Sequence, residues 1–258
     1  MVRVSVIGCG NMGSALIRGL ARSGNHTVVA YDVDPDALSA VADAATETTQ
    51  DLDRALESEI VVLAVKPDVA VEVLPELSLS AEQTLVSIAA GLPIDVIESY
   101  TDATVVRVMP NLAAETGDMA GAIAGEDVPA AVPEMLADAG LVVEIDESEM
   151  DIATALNGSG PAFVFYLIGA MRDAGVEGGL EPAEAERLAA QTFKGAAETV
   201  LRSDRDIGEL IEAVCSPGGT TIEGMAVLRD STVTETVGEA VAAAERRSEE
   251  LAMDADDA

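Results

Sequence analysis

Residues 4–13, which read VSVIGCGNMG, decide the fold of the first half of the chain. An apolar, β-branched run ends at Gly8, and Gly8, Gly10 and Gly13 then follow in a G-x-G-x-x-G spacing that opens an amphipathic segment at Asn11. Glycines at this spacing permit a tight turn and a close backbone approach, and the helix N-terminus faces a pyrophosphate. The stretch therefore predicts a strand–turn–helix unit that binds a dinucleotide; a glycine-rich turn that serves only packing is the alternative.

The rest of the first half alternates apolar runs with amphipathic segments. Further candidate strands are 27–32, 60–65, 85–89, 104–109 and 141–145, with another possible at 117–125, and candidate helices are 11–23, 35–42 and 69–77. Such alternation is typical of parallel βαβ units and predicts a doubly wound α/β sheet of the Rossmann type. After about Glu147 the strand pattern ends, which predicts a dinucleotide-binding domain over 1–147 and an all-α domain over 148–258.

Acidic residues follow the second predicted strand. Asp32 ends this strand about twenty residues beyond the glycines, where a carboxylate accepts hydrogen bonds from the adenosine ribose and repels a 2′-phosphate. Asp34 adds to that repulsion, although its position ahead of Pro35 also suits a helix N-cap. The pair favours NADH over NADPH.

A lysine follows the third predicted strand. Lys66-Pro67 lies at the carboxyl end of a parallel strand, where such sheets bind ligands. Only two of the fourteen basic residues are lysines, Lys66 and Lys194, which favours a functional interpretation of Lys66 over a solvated loop residue.

Charge and composition exclude several classes of protein. The 258 residues include 47 acidic and 14 basic ones, a net charge of −33, which argues against nucleic-acid binding and against docking on anionic membranes. The longest apolar run, 161–171, is too short to span a bilayer, and the N-terminus has no signal-peptide pattern, so we expect a cytoplasmic protein. One histidine and two cysteines exclude a multi-histidine metal site and a disulfide framework.

The net charge also indicates a habitat. A charge of −33 destabilises a compact chain at low salt, whereas molar salt screens it within a few ångströms. We therefore expect a cytoplasm rich in salt, as in extreme halophiles; an ordinary acidic protein with a solvated surface is the alternative.

Two segments of the second half are unlike ordinary helix connections. Residues 157–161, NGSGP, precede a segment (161–174) that is apolar on every side, which predicts a helix buried in a core or a subunit interface. Residues 215–221, CSPGGTT, precede another predicted helix, and Gly218, Gly219 and Thr220 can present backbone N–H groups to a carboxylate. A capped turn without a ligand is the alternative for each segment.

Together these motifs resemble the pyrroline-5-carboxylate reductase family. The residues that carry the resemblance occur in the family's order over nearly the whole chain: GCGNMG at 8–13, AVKP at 64–67, RVMPN at 107–111, GSGPAF at 158–163, DAGV at 173–176, QT at 191–192 and SPGGTT at 216–221. The SPGGTT and GSGPA runs are far more specific than the glycine fingerprint. After Asn111 the family's usual Thr-Pro is replaced by Leu112-Ala113.

The resemblance implies an NAD(P)H-dependent reductase of a cyclic imine, with a Rossmann domain and a helical domain that interleaves with that of a second subunit in a homodimer or in an oligomer of dimers. It implies that Thr221 hydrogen-bonds the ring nitrogen of a small-molecule substrate. The other implied or predicted site residues fall into two groups. The substrate group is Ser216, Pro217, Gly218, Gly219, Thr220, Ser159 and Gly160; the cofactor group is Gly8, Gly10, Asn11, Met12, Gly13, Asp32, Ala64, Val65, Lys66, Pro67 and Asn111.

Two other functions stay open at this point. A reductase of the β-hydroxyacid type needs a lysine on the helix that corresponds to 161–174, which has none, and we expect Lys194 to pair with Glu198 instead. A deazaflavin-dependent reductase does not require the 216–221 loop. A dinucleotide sensor without catalytic activity would bind NADH but reduce no imine, and an intact carboxylate loop argues against it.

Overall fold

The computed structural model describes the backbone of residues 2–256 and the side chains of residues 2–251. The chain divides into two compact units, residues 1–159 with 241–258, and residues 160–240.

The first unit is built on one eight-stranded sheet with strand order β3-β2-β1-β4-β5-β6-β7-β8. The strands are β1 (Arg3–Ile7), β2 (Thr27–Tyr31), β3 (Glu47–Thr49), β4 (Ile60–Leu63), β5 (Thr84–Ser87), β6 (Thr104–Met109), β7 (Met119–Ala124) and β8 (Gly140–Glu144). The first six strands are parallel, β7 runs antiparallel to β6, and β8 runs parallel to β7. The chain reverses its direction of winding between β1 and β4, so that the carboxyl ends of these two strands flank a crevice.

Helices cover both faces of this sheet. They are α1 (Asn11–Ser23), α2 (Pro35–Val41), α3 (Leu52–Ala55), α4 (Pro67–Val73), α5 (Ile94–Glu98), α6 (Ala131–Leu136) and α7 (Met150–Ala153), with 3-10 turns at Leu74–Glu76, Leu112–Thr116 and Glu147–Glu149 and a π turn at Thr154–Gly158. Because side chains alternate along each strand, β1 contributes Val6 to a buried cluster on one face of the sheet and Ile7 to a second cluster on the opposite face. The unit is therefore a three-layer α/β/α sandwich.

The predicted doubly wound sheet and the helical second half are confirmed. The strand predicted as possible at 117–125 is β7. The predictions missed β3, whose sequence Glu-Thr-Thr has no apolar residue, and the short helices α3, α5 and α6.

The second unit contains α8 (Gly160–Glu177), α9 (Pro182–Arg202), α10 (Ile207–Val214), α11 (Thr220–Arg229) and the first part of α12 (Val233–Asp256). Among the described residues of this unit, only Ala185 and Ala189 are buried apolar residues, whereas Phe165, Tyr166 and Leu201 are more than two thirds exposed. The apolar helix α8 contains no buried residue, so in the single chain it is not a core helix. Of the two predicted environments for α8, this observation favours a subunit interface.

The predicted ion pair between Lys194 and Glu198 is wrong. Glu198 pairs with Arg202, one turn further along α9, and Lys194 forms no ion pair with any residue that the structure describes.

The expectation that the longest apolar segment is too short to span a bilayer is also wrong. The helical stretch Glu147–Glu177 is long and apolar enough to cross a membrane, because the turns before Gly160 extend α8. An apolar helix at a protein interface meets the same criteria, so length and composition alone do not distinguish lipid from protein as its neighbour.

Candidate active site

The glycine loop joins β1 to α1 through two close backbone approaches. Gly8 has a φ of +102°, and a Cβ at this residue would lie 2.7 Å from Val65 Cγ1 and 2.8 Å from the carbonyl oxygen of Ala64. A Cβ at Gly13 would overlap the carbonyl oxygen of Gly8. The absence of side chains at these two positions therefore lets the N-terminus of α1 approach the carboxyl ends of β1 and β4.

The middle glycine of the loop faces open space. Gly10 is exposed, its backbone is extended with a φ of −67°, and a Cβ at this position would have no atom of the described residues within 4 Å. Gly10 is also the N-cap of α1, no side chain among the described residues caps the helix, and its first turn carries no acidic residue. Uncapped N–H groups beside open space fit a pyrophosphate, so the residues present suit a dinucleotide. The exposed Asn11 and half-buried Met12 begin the helix at the same place.

Asp32 is bonded to the glycine loop itself. One carboxylate oxygen accepts a hydrogen bond from the Cys9 backbone N–H at 2.7 Å, and the other accepts from the Asp34 N–H at 2.9 Å. Each oxygen keeps a further lone pair, so the carboxylate can hold the loop and still accept a hydrogen bond from a ribose hydroxyl. Asp34 itself caps α2 by accepting from the Asp36 N–H, as predicted.

Cys9 lies inside this loop as an inert thiol. It is 4% exposed, and its Sγ lies 3.5 Å from the carbonyl oxygen of Tyr31. Burial, and secondarily the charge of Asp32, raise the pKa of the Cys9 thiol to about 12. The thiol is therefore protonated at neutral pH and packs as a small apolar group.

The end of β4 forms the opposite side of the crevice. Ala64 and Val65 are half-buried against Gly8, and Lys66 is exposed as the N-cap of α4, with Pro67 as the first residue of that helix. Lys66 therefore lies at the predicted position, at the carboxyl end of a parallel strand beside the glycine loop.

Asn111 follows β6, and its side chain forms hydrogen bonds with backbone groups of three other residues. Its side chain is buried, with the residue only 6% exposed, and its Oδ1 accepts from the Ala113 N–H at 3.2 Å and the Ala120 N–H at 3.4 Å. Its Nδ2 donates to the carbonyl oxygen of Asn157 at 3.1 Å. These bonds give the Asn111 side chain a structural role, and its contact with a nicotinamide stays a prediction.

Asn157 belongs to the same network of hydrogen bonds, and the predicted site residues did not include it. Its Nδ2 donates to the carbonyl oxygens of Met109 at 2.7 Å and Ala120 at 2.8 Å, whereas its buried Oδ1 has no partner in the described structure. It lies in the π turn directly before Ser159, and π turns are frequent at functional sites. The NGSGP motif drew attention to this segment, but only the fold shows that the Asn157 side chain reaches two strands.

The 216–221 loop lies in the second unit. Gly218 has a φ of +69°, Gly219 is the N-cap of α11, and within the part of the chain that the structure describes no side chain caps that helix. The Thr220 and Thr221 hydroxyls make no hydrogen bond to residues that the structure describes, whereas the hydroxyls of Thr192 and Thr199 donate to carbonyls one turn earlier. Uncapped N–H groups beside two unbonded hydroxyls suit a carboxylate and a second polar ligand atom.

The structure therefore brings the cofactor group together at the carboxyl ends of β1, β2, β4 and β6. Ser216 to Thr221 are brought together in the second unit, and Ser159 and Gly160 lie at the division between the two units. This arrangement defines a dinucleotide-dependent oxidoreductase of the Rossmann class. Residues 3–91 match the family model described as NADP oxidoreductase coenzyme F420-dependent, and residues 147–251 match that described as pyrroline-5-carboxylate reductase dimerisation.

Relatives specify the family within this class. The chain is 40% identical to the pyrroline-5-carboxylate reductase of Methanosarcina acetivorans and 36% identical to that of Escherichia coli, over 96% of this chain and 97% and 98% of theirs. The crystal structure of the Plasmodium falciparum pyrroline carboxylate reductase with NADP bound is similar at 31% identity and a TM-score of 0.84, over 97% of this chain and 98% of that one. The corresponding structure from Coxiella burnetii has a TM-score of 0.86, also at 31% identity and with the same coverage. The chain belongs to the pyrroline-5-carboxylate reductase family.

The hydrogen bonds of the Asn157 side chain lead to a prediction about stability. Asn157→Ala removes two donors and leaves the Met109 and Ala120 carbonyl oxygens without them, so we expect a loss of about 1–3 kcal/mol in the free energy of unfolding. Denaturant titration at constant salt measures it. Asn25→Ala is the control, because Asn25 is exposed and its amide bonds only Asp138; it should lose less than about 0.5 kcal/mol. Equal stability of the Asn157→Ala variant and the wild type would show that these hydrogen bonds do not stabilise the fold.

Proposed function

We propose that this chain reduces 1-pyrroline-5-carboxylate to L-proline with NADH or NADPH, the last step of proline biosynthesis. The observation that carries the proposal is the 216–221 loop, with an uncapped helix N-terminus and two unbonded threonine hydroxyls, in a chain that also carries the glycine loop. Family membership supports the same reaction, since the relatives are named for it. One site binds the cofactor and the other suits a small carboxylate.

The reaction needs little from the side chains beyond positioning. The reduced nicotinamide supplies a hydride to the imine carbon, the C=N double bond becomes a C–N single bond, and the nitrogen keeps or gains one proton. A protonated imine is already electrophilic, so orientation and a hydrogen bond to nitrogen suffice. This accounts for a site without a histidine, since the one histidine, His26, is bonded to Asp138 at 2.8 Å.

Ser216 to Thr220 hold the substrate carboxylate through backbone N–H groups and hydroxyls, and Thr221 hydrogen-bonds the ring nitrogen. Lys66, Pro67 and the end of β6 at Asn111 lie toward the nicotinamide. Ser159 and Gly160 close the substrate pocket.

The cofactor preference follows from Asp32. Its carboxylate is fixed by the Cys9 and Asp34 N–H groups at the end of β2, with Asp34 close by. Two carboxylates at this place repel a 2′-phosphate, which supports NADH as the preferred cofactor. The NADP bound in the Plasmodium relative belongs to that protein.

The assembly we propose is a homodimer with interleaved helical domains, in which a larger oligomer is built from dimers. The apolar, unburied α8 and the match of 147–251 to a dimerisation model support the dimer. The domain boundary near residue 147 is part of this proposal. Location in a cytoplasm of high salt rests on the net charge of −33.

The match of residues 3–91 to a coenzyme F420-dependent model agrees with a shared dinucleotide domain, but it ends well before the 216–221 loop. A deazaflavin-dependent reductase leaves that loop without a role.

The test of the function is the reduction of 1-pyrroline-5-carboxylate by the purified chain in molar KCl, with NADH and NADPH compared. We expect cofactor oxidation with an equal amount of proline formed. A folded protein that binds NADH but consumes neither cofactor would be the dinucleotide sensor instead.

Thr221 provides a prediction about the mechanism. Thr221→Ala should lower kcat/KM for the imine by about 10- to 100-fold, the equivalent of one lost hydrogen bond of about 1.4–2.7 kcal/mol, and should leave the Kd for NADH unchanged. Thr221→Ser should restore most of the activity. Thr199→Ala is the matched control, since the Thr199 hydroxyl already bonds the carbonyl of Gly195. Full activity of Thr221→Ala would remove Thr221 from the mechanism.

Asp32 provides a prediction about cofactor choice. Asp32→Asn keeps one oxygen for the Cys9 N–H but removes the charge, so the ratio of kcat/KM for NADPH to that for NADH should rise about tenfold or more. Asp34→Asn should raise the ratio less, because Asp34 faces its own helix. An unchanged ratio in Asp32→Asn would show that the carboxylate does not discriminate between the two cofactors.

A further inference from the structure

The two edges of the eight-stranded sheet differ in chemistry. The β3 edge is three residues long and charged: Glu47 pairs with Arg3 at 3.4 Å and with Arg54 at 2.9 Å. Short, charged edge strands are the usual protection of a sheet edge that faces water. The β3 edge therefore has the features of a solvent-exposed edge.

The β8 edge is five residues long, and Glu144 at its end is its one charged residue. Leu141 and Val143 are 55% and 53% exposed in the single chain, and, two residues apart, they point to the same face of the sheet. We call these two residues the β8 patch. Their neighbours in register on that face are Ala120 and Ala122 of β7, so this part of the face carries no charge although the whole chain carries −33.

The patch continues into the region matched by the dimerisation model. On the same sheet face, Met150 and Ala153 of α7 pack with Ala122, so α7 covers β7 but leaves β8 uncovered. The exposed residues Ile152 and Leu156 of α7 and the π turn lie within the matched range 147–251, which begins three residues after β8.

From this contrast we infer that the β8 patch is part of the subunit interface and is covered by a second copy of this chain. The dimer contact thus extends beyond the helical region into the sheet that carries the dinucleotide loop. The inference rests on the proposed homodimer and adds Leu141 and Val143 to it. Exposed apolar edge residues otherwise invite aggregation, which a covering subunit prevents.

The test compares two valine-to-cysteine variants of the full chain. Val143→Cys places a thiol in the β8 patch, and Val33→Cys places one at an exposed valine (76%) after β2. Both react with a maleimide in molar KCl without cofactor, and peptide mass spectrometry follows each site separately from Cys215. Light scattering during size exclusion gives the oligomeric state. We expect a dimer or larger oligomer in which Val143→Cys reacts at least tenfold more slowly than Val33→Cys.

A second variant identifies what covers the patch. Tyr166 is 80% exposed on α8, and Tyr166→Asp adds a charge to the apolar helix of the dimerisation region. When it dissociates the assembly, the Val143→Cys rate should rise to within about twofold of the Val33→Cys rate. If the assembly survives this change, the ratio of the two rates tests the inference by itself: a Val143→Cys rate at least tenfold below the Val33→Cys rate supports it, and similar rates contradict it.

Three results would overturn the inference: similar rates at both sites in an intact dimer, slow reaction of Val143→Cys in a monomer, or a wild-type chain that is monomeric at every concentration. The first two leave imine reduction untouched, so that failure of this inference and failure of the proposed reaction are distinguishable.

Discussion

The close approach of α1 to the carboxyl end of β1 is the constraint on which the rest of the first unit depends. Gly13 lies against the carbonyl oxygen of Gly8, and Gly8 lies against Ala64 and Val65. No residue with a Cβ fits at Gly8 or Gly13 without moving backbone. Because of this contact, the uncapped N–H groups of α1, the carboxylate after β2 and the lysine after β4 converge on one crevice at the point where the winding of the sheet reverses.

Around this contact, polar side chains bond mainly to backbone. Asp32 holds the glycine loop through the Cys9 N–H, and Asn111 and Asn157 together tie the end of β6 and the start of β7 to the π turn before Ser159. Such bonds fix the loops that carry function through backbone partners, whereas the buried Arg107 of β6 pairs with the carboxylate of Glu147 at 3.1 Å.

Much of the fold could be predicted from the sequence, because apolar runs with glycine and proline boundaries define buried parallel strands. The strand β3 could not, since its three residues are polar and it forms only by pairing with β2. The bonds of Asp32 to Cys9 and of Asn157 to Met109 join residues 23 and 48 positions apart, a relation that local patterns do not contain. Similarly, the apolar composition of α8 predicts burial in a core or against a second subunit, and its exposed surface in the single chain favours the second subunit.

The measurement that tests the central claim most directly is the affinity of Gly10→Ala for NADH, by calorimetric titration in molar KCl. A Cβ at Gly10 meets no protein atom and suits the extended backbone, so the variant should match the wild type in unfolding free energy within about 0.5 kcal/mol. The same Cβ enters the open space beside the α1 N-terminus, so the Kd should rise at least about tenfold, the equivalent of about 1.4 kcal/mol. An unchanged Kd in a stable variant would show that the pyrophosphate does not lie over this loop, which would contradict the account.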